Sequence, residues 1–279
     1  MKHFKYLPLC ALVLFLMPEG LLAQDLFDRN HSARYADFLF ASGNYREAIE
    51  EYERLVFSFG ATEEKKLRLL QSYRLSGHPE VAIRRMNSLW EKPDRVSGAV
   101  AKEFFTLRII NRDFNNLEPD IGGNPYLTQE EKDFFSASSF LFQERFREAR
   151  DLLENRHPAR DERLSDFLEI SQDALSMKMK RPWLGGALSA VVPGAGKFYT
   201  GNWEDGLIAM SIVGASAWQA YRGFDRKGSG SVYAWAYSLI GTAFYIGNIY
   251  GSVKEVNRYN FRKREGIRIR VEAVFFHGL

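Results

Sequence analysis

Thiol chemistry is all but missing from this chain: among 279 residues the only cysteine is Cys10. It lies in an apolar N-terminal stretch expected to be removed, so the mature chain should hold no thiol at all. A disulfide framework, a thiolate metal site and a cysteine nucleophile are then excluded. A cysteine-free exported chain suits an oxidising compartment. Histidine is scarce as well, and His3, His31, His78, His157 and His277 stand far apart, none at metal-ligand spacing from another. There is no Gly-x-Ser-x-Gly elbow and no dinucleotide fingerprint. A net charge of +3 is too small to argue for nucleic acid. The expectation is a protein that is not an enzyme, with no cofactor, no metal and no small-molecule substrate.

What is present is apolar and unevenly spread. Hydrophobic residues make up 46% and aromatics 14%, enough for a packed core and against global disorder. The length suits two modest domains, or one domain and an anchor. Lys2 and Lys5 precede an apolar run from Leu7 to Met17, and Leu21-Leu22-Ala23-Gln24 follows. A basic start, a short apolar run and a small residue at the cut describe a signal peptide over residues 1–23, cleaved after Ala23. The run is short for a membrane span, and an uncleaved anchor is the alternative reading. Cys10, after Leu7-Pro8-Leu9, makes a poor lipid-attachment site.

Residues 24–180 carry an internal repeat. Gly43, Tyr45 and Ala48 recur as Gly77 and Ala82 after 34 positions, and as Phe146 and Ala149 further on. Residues 108–118 read as a degraded copy, with Phe114 in place of Tyr45. Tyr35, Phe38 and Leu39 share one helical stripe; Ile49, Tyr52 and Val56 share another. Thr128 with Glu131 forms a capping box for the helix that follows. The pattern resembles tetratricopeptide repeats, in which glycine opens the turn, an aromatic fills it and a small residue lets two helices touch. It departs from them in lacking the early Trp and in placing Glu144 where the last turn would have glycine. The resemblance implies stacked helical hairpins whose groove holds a protein partner.

Past Lys180 and Arg181 the composition changes abruptly. Residues 183–198, 206–221 and 232–253 are almost uncharged, the last long enough to span a bilayer and the second marginal. Trp183, Tyr199, Trp203, Trp218, Tyr221, Tyr233 and Trp235 fall at interface positions. Gly247-x-x-x-Gly251 has the spacing of a membrane-helix contact. Lys197 after Gly196 invites a phosphate-loop reading, which fails because Val191 replaces the first glycine and Phe198 the Ser or Thr. Pro193, Gly194, Gly196, Phe198, Tyr199 and Gly201 instead resemble small bacterial membrane domains with a PGxGxFYxG signature before a helical hairpin; the resemblance implies a structural turn and names no reaction. Glu204 and Asp205 stand beside it. Residues 254–270 hold seven basic and two acidic side chains, and the alternation of Ile267, Ile269 and Val271 with Arg268, Arg270 and Glu272 predicts a short strand.

The expectation is therefore an all-α chain: helical-hairpin repeats over 24–180, a membrane-embedded hairpin or three-helix domain over 181–253, and a basic tail over 254–279 with a short strand. It points to a membrane-anchored adaptor of the bacterial cell envelope, its repeats periplasmic, binding protein in the groove and lipid at the anchor. The alternative is a small channel or transport component working at Glu204 and Asp205.

Overall fold

The computed structural model describes residues 28–156 and 161–277, so the expected signal peptide lies outside the described residues. Every regular element among them is helical. The chain divides into two compact units, the first ending at Leu127 and the second beginning at Thr128.

The first unit is a run of packed helical hairpins: α1 (Arg29–Ala41) with α2 (Tyr45–Phe59), then α3 (Glu63–Leu75) with α4 (Pro79–Leu89). A one-turn helix (Pro93–Arg95), α5 (Gly98–Ile110) and the short α6 (Leu117–Gly122) follow. Asp28, Thr62 and Ser97 cap α1, α3 and α5, each accepting a bond from the third residue on. Gly43 and Gly77 then end α1 and α3 with φ of +76° and +86°. The N–H of Gly43 donates to Phe40 O and that of Asn44 to Leu39 O, which satisfies two orphan carbonyls of the helix end. The same pair of bonds recurs at Gly77 and His78, at Arg112 and Asp113, and at Glu144 and Arg145 in the second unit.

Positions 43, 77, 112 and 144 are thus equivalent turns, and Arg112 and Glu144 hold φ of +55° and +57° without being glycine. The burial register repeats with them. Seven residues before each turn come Ala36, Leu70, Phe105 and Ala137; five after come Ala48, Ala82, Leu117 and Ala149; nine after come Tyr52, Met86, Ile121 and Leu153. All are wholly buried. The small residue five past the turn admits the first helix of the hairpin, and the larger one a turn later fills the space beside it.

Ion pairs join neighbouring hairpins of the first unit. Lys65 of α3 reaches Asp37 of α1 at 2.6 Å, and Arg85 of α4 grips Glu53 of α2 with two bonds. Arg74 of α3 grips Glu103 of α5 at 2.7 and 3.1 Å, almost out of solvent. The Tyr73 hydroxyl donates to Glu53. Burial, and then the Glu53 carboxylate, push its pKa up to about 12, so it stays a donor at neutral pH.

The second unit begins with a further hairpin, α7 (Gln129–Phe142) and α8 (Phe146–Glu154), then α9 (Glu162–Ser176). Thr128 and Glu131 exchange the two bonds of a capping box at 3.2 and 2.9 Å. Two short helices, α10 (Pro182–Val191) and α11 (Ala195–Thr200), lead to α12 (Trp203–Lys227) and the 46-residue α13 (Val232–His277). At 1.5 Å per residue α13 is about 69 Å long. Its far end packs on α7 and α9. Phe275 stacks on Phe134, which stacks on Phe167, and Phe142 meets Phe275 edge-on at 5.2 Å. Arg270 binds Asp173 and Glu169 of α9 at 2.6 and 2.8 Å.

One expectation is corrected. The strand over 266–276 is part of α13. Its alternation concealed a helical stripe, since Ile267, Val271 and Phe275 recur every four residues and are buried, while Arg268 pairs with Glu265 and Glu272 at helical spacing. No helix among the described residues is long and apolar enough to cross a membrane, residues 232–253 included. Glycine, serine, tyrosine and Asn248 thin the apolar content of that stretch.

The left-handed turns make a direct test. A non-glycine residue pays roughly 1–2 kcal/mol there. Glu144→Gly is expected to raise stability by about 1 kcal/mol, and Gly43→Ala to lower it by a similar amount, in denaturant unfolding of the full chain followed by circular dichroism. Equal and opposite effects are the expected signature; a destabilising Glu144→Gly would mean the turns are not equivalent.

Candidate functional site

The glycine-rich segment closes the base of the α12–α13 pair. Gly194 takes φ +90°, and a Cβ there would stand 2.1 Å from Gly206 O. A Cβ on Gly196 would meet Gly185 O at 2.0 Å and the Ser252 side chain at 2.7 Å. Gly206 lies under the Phe198 ring, and Gly185 and Gly186 under Val256 and Val253. At the centre, the Ser189 and Ser252 hydroxyls bond each other at 2.7 Å, and Ser189 Oγ accepts the Gly196 N–H at 2.9 Å. Gly201 differs: it takes φ +87° to end α11, with open space where a Cβ would be. Pro193 stands at the bend between α10 and α11, after the exposed Val191 and Val192.

Polar anchors fix the outer rim. Asn260 makes two bonds to the Lys180 main chain, at 2.9 and 2.7 Å. The Lys180 ammonium donates to Tyr199 O and lies over the Tyr259 ring at 4.2 Å. Asp205 accepts from Asn202 at 2.8 Å in the first turn of α12, beside Glu204. That placement fits the preference of acidic groups for a helix N-terminus. No group of metal-ligating side chains occurs among the described residues.

Above this base the usual order of inside and outside is reversed. The residues buried in α10, α11 and α12 are Gly185, Gly186, Ser189, Gly196, Gly206, Ser216, Ala220 and Gly223. Facing them on α13 are Ala234, Asn248, Ser252 and Val256. The large apolar chains point outward: Leu207, Ile208 and Trp218 on α12, and Leu239 (74% exposed), Ile246 and Tyr250 (71%) on α13. The exposed apolar surface runs from Leu207 to Tyr221 on α12, fourteen residue steps or about 21 Å, and from Val232 to Tyr250 on α13, eighteen steps or about 27 Å. Trp and Tyr mark both ends. Arg222, Arg226 and Lys227 lie beyond one end; Lys254 and Arg258, with the exposed Glu204 and Asp205, lie at the other. Trp235 Nε1 donates to Ser229 O in the turn.

Some contacts escaped sequence reasoning. Gly247 and Gly251, paired by their spacing, have no atom within 4 Å of a built Cβ. The helices touch instead where Gly241 meets Ser216 and Gly223 meets Ala234. The Gly185-Gly186 pair in Trp183-Leu184-Gly185-Gly186 was the available signal for the α10–α13 contact. Of the repeat residues, Gly43 and Gly77 form turns, and Ala48, Ala82 and Ala149 are buried contacts. Tyr45 and Phe146 are half-buried, Tyr45 packing 5.5 Å from Phe40.

No family model matches this chain, and no curated protein and no solved structure is found to be similar to it.

The base is the most sterically demanding part of the molecule. Gly196→Ala and Gly194→Ala are expected to prevent α11 from seating and to expose residues 181–202 to limited proteolysis. Gly201→Ala, which pays only the left-handed penalty of roughly 1–2 kcal/mol, is expected to leave the cleavage pattern as in the parent. Equal tolerance of all three would contradict the packing described.

Proposed function

We propose that the chain is a membrane-anchored adaptor: tetratricopeptide-like hairpins hold a protein partner, and the α12–α13 pair with its α10–α11 base sits in a lipid bilayer of the bacterial envelope. The observation that carries the anchor is the reversed burial of the hairpin. In water a soluble monomer keeps contiguous apolar patches to roughly 300–600 Å², and small residues between helices bring little hydrophobic gain. In lipid the same arrangement is favourable, because glycine, alanine and serine let helices approach and the large side chains meet acyl chains. What faces lipid in this reading is the outer surface of the packed pair, not the full circumference of either helix. A band of about 21 Å on α12 and about 27 Å on α13, bounded by aromatics and then by charged residues, approaches a hydrocarbon core of about 30 Å with its interfaces.

The adaptor half of the reading rests on the repeated hairpins and on exposed aromatics of α1, where Tyr35 and Phe38 stand one turn apart with more than half their surface free. Stacked hairpins offer such side chains to a partner peptide or domain. The absence of any assembled reactive constellation in the sequence favours recruitment over catalysis.

One experiment joins the two halves. A photoreactive amino acid at Phe38, activated in intact cells, is expected to give a single reproducible adduct that stays in the membrane pellet after alkaline extraction. The adduct should disappear in Gly43→Val and Gly77→Val variants that still reach the membrane. An uncrosslinked parent protein released by salt alone would sink the anchor; an extraction-resistant protein with no adduct would sink the adaptor.

A further inference from the structure

A groove of about 420 Å³ opens between α11, α12 and α13. Its walls are apolar, with Ile208, Ile212, Val213 and Phe244 the larger contributors, and it contains two polar side chains, Lys197 and Asn248. It exists because Gly247 leaves open space where a side chain would otherwise fill the gap. Asn248 is only 7% exposed, yet neither its Nδ2 nor its Oδ1 has a hydrogen-bond partner. A buried amide normally finds partners, since leaving one unpaired costs a large part of its hydration. The other buried polar groups of this base, Ser189 and Ser252, are paired. Asn248 therefore stands out as the polar group lining this groove that the chain itself leaves unpaired.

The two polar residues lie at different depths. Ser216 sits beside Gly241 and Gly223 beside Ala234, so the antiparallel helices bring Asp205 level with residue 252. Lys197 Nζ donates to Asp205 O at 3.4 Å, which puts the ammonium about one helical turn, or roughly 6 Å, from the level of Asn248 and nearer the basic rim. Beyond Asn248 the groove is apolar, towards Ala243 and Val213. The order along it is cation, neutral amide, hydrocarbon.

We propose that this groove binds one phospholipid molecule: its phosphate at Lys197, the ester carbonyl of one acyl chain accepting from Asn248 Nδ2, and that chain lying against Ile208, Ile212 and Phe244. Two polar contacts at two depths fit a phosphate and an ester, whereas a free fatty acid brings one polar group. The cation in the groove argues against a second copy of this chain, whose own Lys197 would be repelled. The inference rests on the membrane reading of the hairpin.

The test uses the full chain in vesicles doped with a phosphatidylglycerol bearing a diazirine on one acyl chain, and separately with a diazirine-bearing palmitate. Adducts are mapped by mass spectrometry. The phospholipid is expected to label residues 205–213 and 243–248 at least five-fold more than the rest of the band. Gly247→Leu, whose Cβ has no atom of the chain within 4 Å and whose side chain would occupy the groove, should abolish that preference. Lys197→Gln and Asn248→Leu should each reduce it several-fold. Flotation of every variant with the vesicles is measured in parallel. Uniform labelling around the hairpin, labelling by palmitate alone, or a crosslink to a second copy, in a chain that floats, would overturn the site. A parent chain that does not float would overturn the membrane reading on which the site rests.

Discussion

Helices α10, α11 and α12 approach α13 through side chains that are almost all glycine, alanine or serine. Close approach of this kind has consequences on both sides of each helix. On the inside it demands that nothing larger intrude, which is why a methyl group at Gly194 or Gly196 would fall within about 2 Å of a main-chain oxygen. On the outside it forces the leucines, isoleucines and aromatics of the same helices away from each other. The hairpin cannot bury them against itself, so whatever surrounds it must accept them. The Ser189–Ser252 bond and the unpaired Asn248 follow from the same rule, since the protein's polar side chains at this contact are turned inward.

The single helix α13 shows both solutions to burial. Over its first half the large residues face outward and the small ones inward. Over its last third Ile267, Val271 and Phe275 face inward, against Phe134, Phe142 and Phe167, and arginines face outward into pairs with Glu169, Asp173, Glu265 and Glu272. The first pattern suits a surrounding of hydrocarbon and the second a surrounding of water. The change falls between Tyr250 and Arg258, level with Lys180, Tyr199 and Tyr259. Those residues form the cation–aromatic cluster that ties the base together, and a headgroup region is where such amphipathic side chains are favoured.

The hairpin repeat was legible because its turns impose a backbone requirement that glycine meets cheaply. Gly43 and Gly77 announced two copies, and Ala48, Ala82 and Ala149 announced the contacts. The copy turning at Arg112 was legible only in outline, through Phe114 in the place of Tyr45, because Arg112 occupies the left-handed region at a cost that the rest of the hairpin bears and Leu117 replaces the small residue there. The strand misreading has a related cause: an alternation over six residues fits either period, and only the ion pairs and the absence of proline from residue 232 onward favour the helix. At the base, the sequence pointed to the right glycines for α11 and to the wrong pair for α13. Spacing alone does not say which face of a helix meets its neighbour: of the small residues Gly241, Gly247 and Gly251, it is Gly241 that meets α12, at Ser216, and the second contact is Ala234 against Gly223 of α12. The groove at Asn248 depends on three separated segments and had no signature in the chain.

The central claim is that hydrocarbon surrounds the outer face of α12 and α13. Spin labels at single cysteines placed at Leu239, Ile246, Arg226 and Arg258, in a Cys10→Ser background reconstituted in vesicles, report this through their collision with oxygen and with a water-soluble nickel chelate. The account predicts that Leu239 and Ile246 collide with oxygen and hardly with nickel, while Arg226 and Arg258 show the reverse. Equal nickel access at all four positions would contradict it.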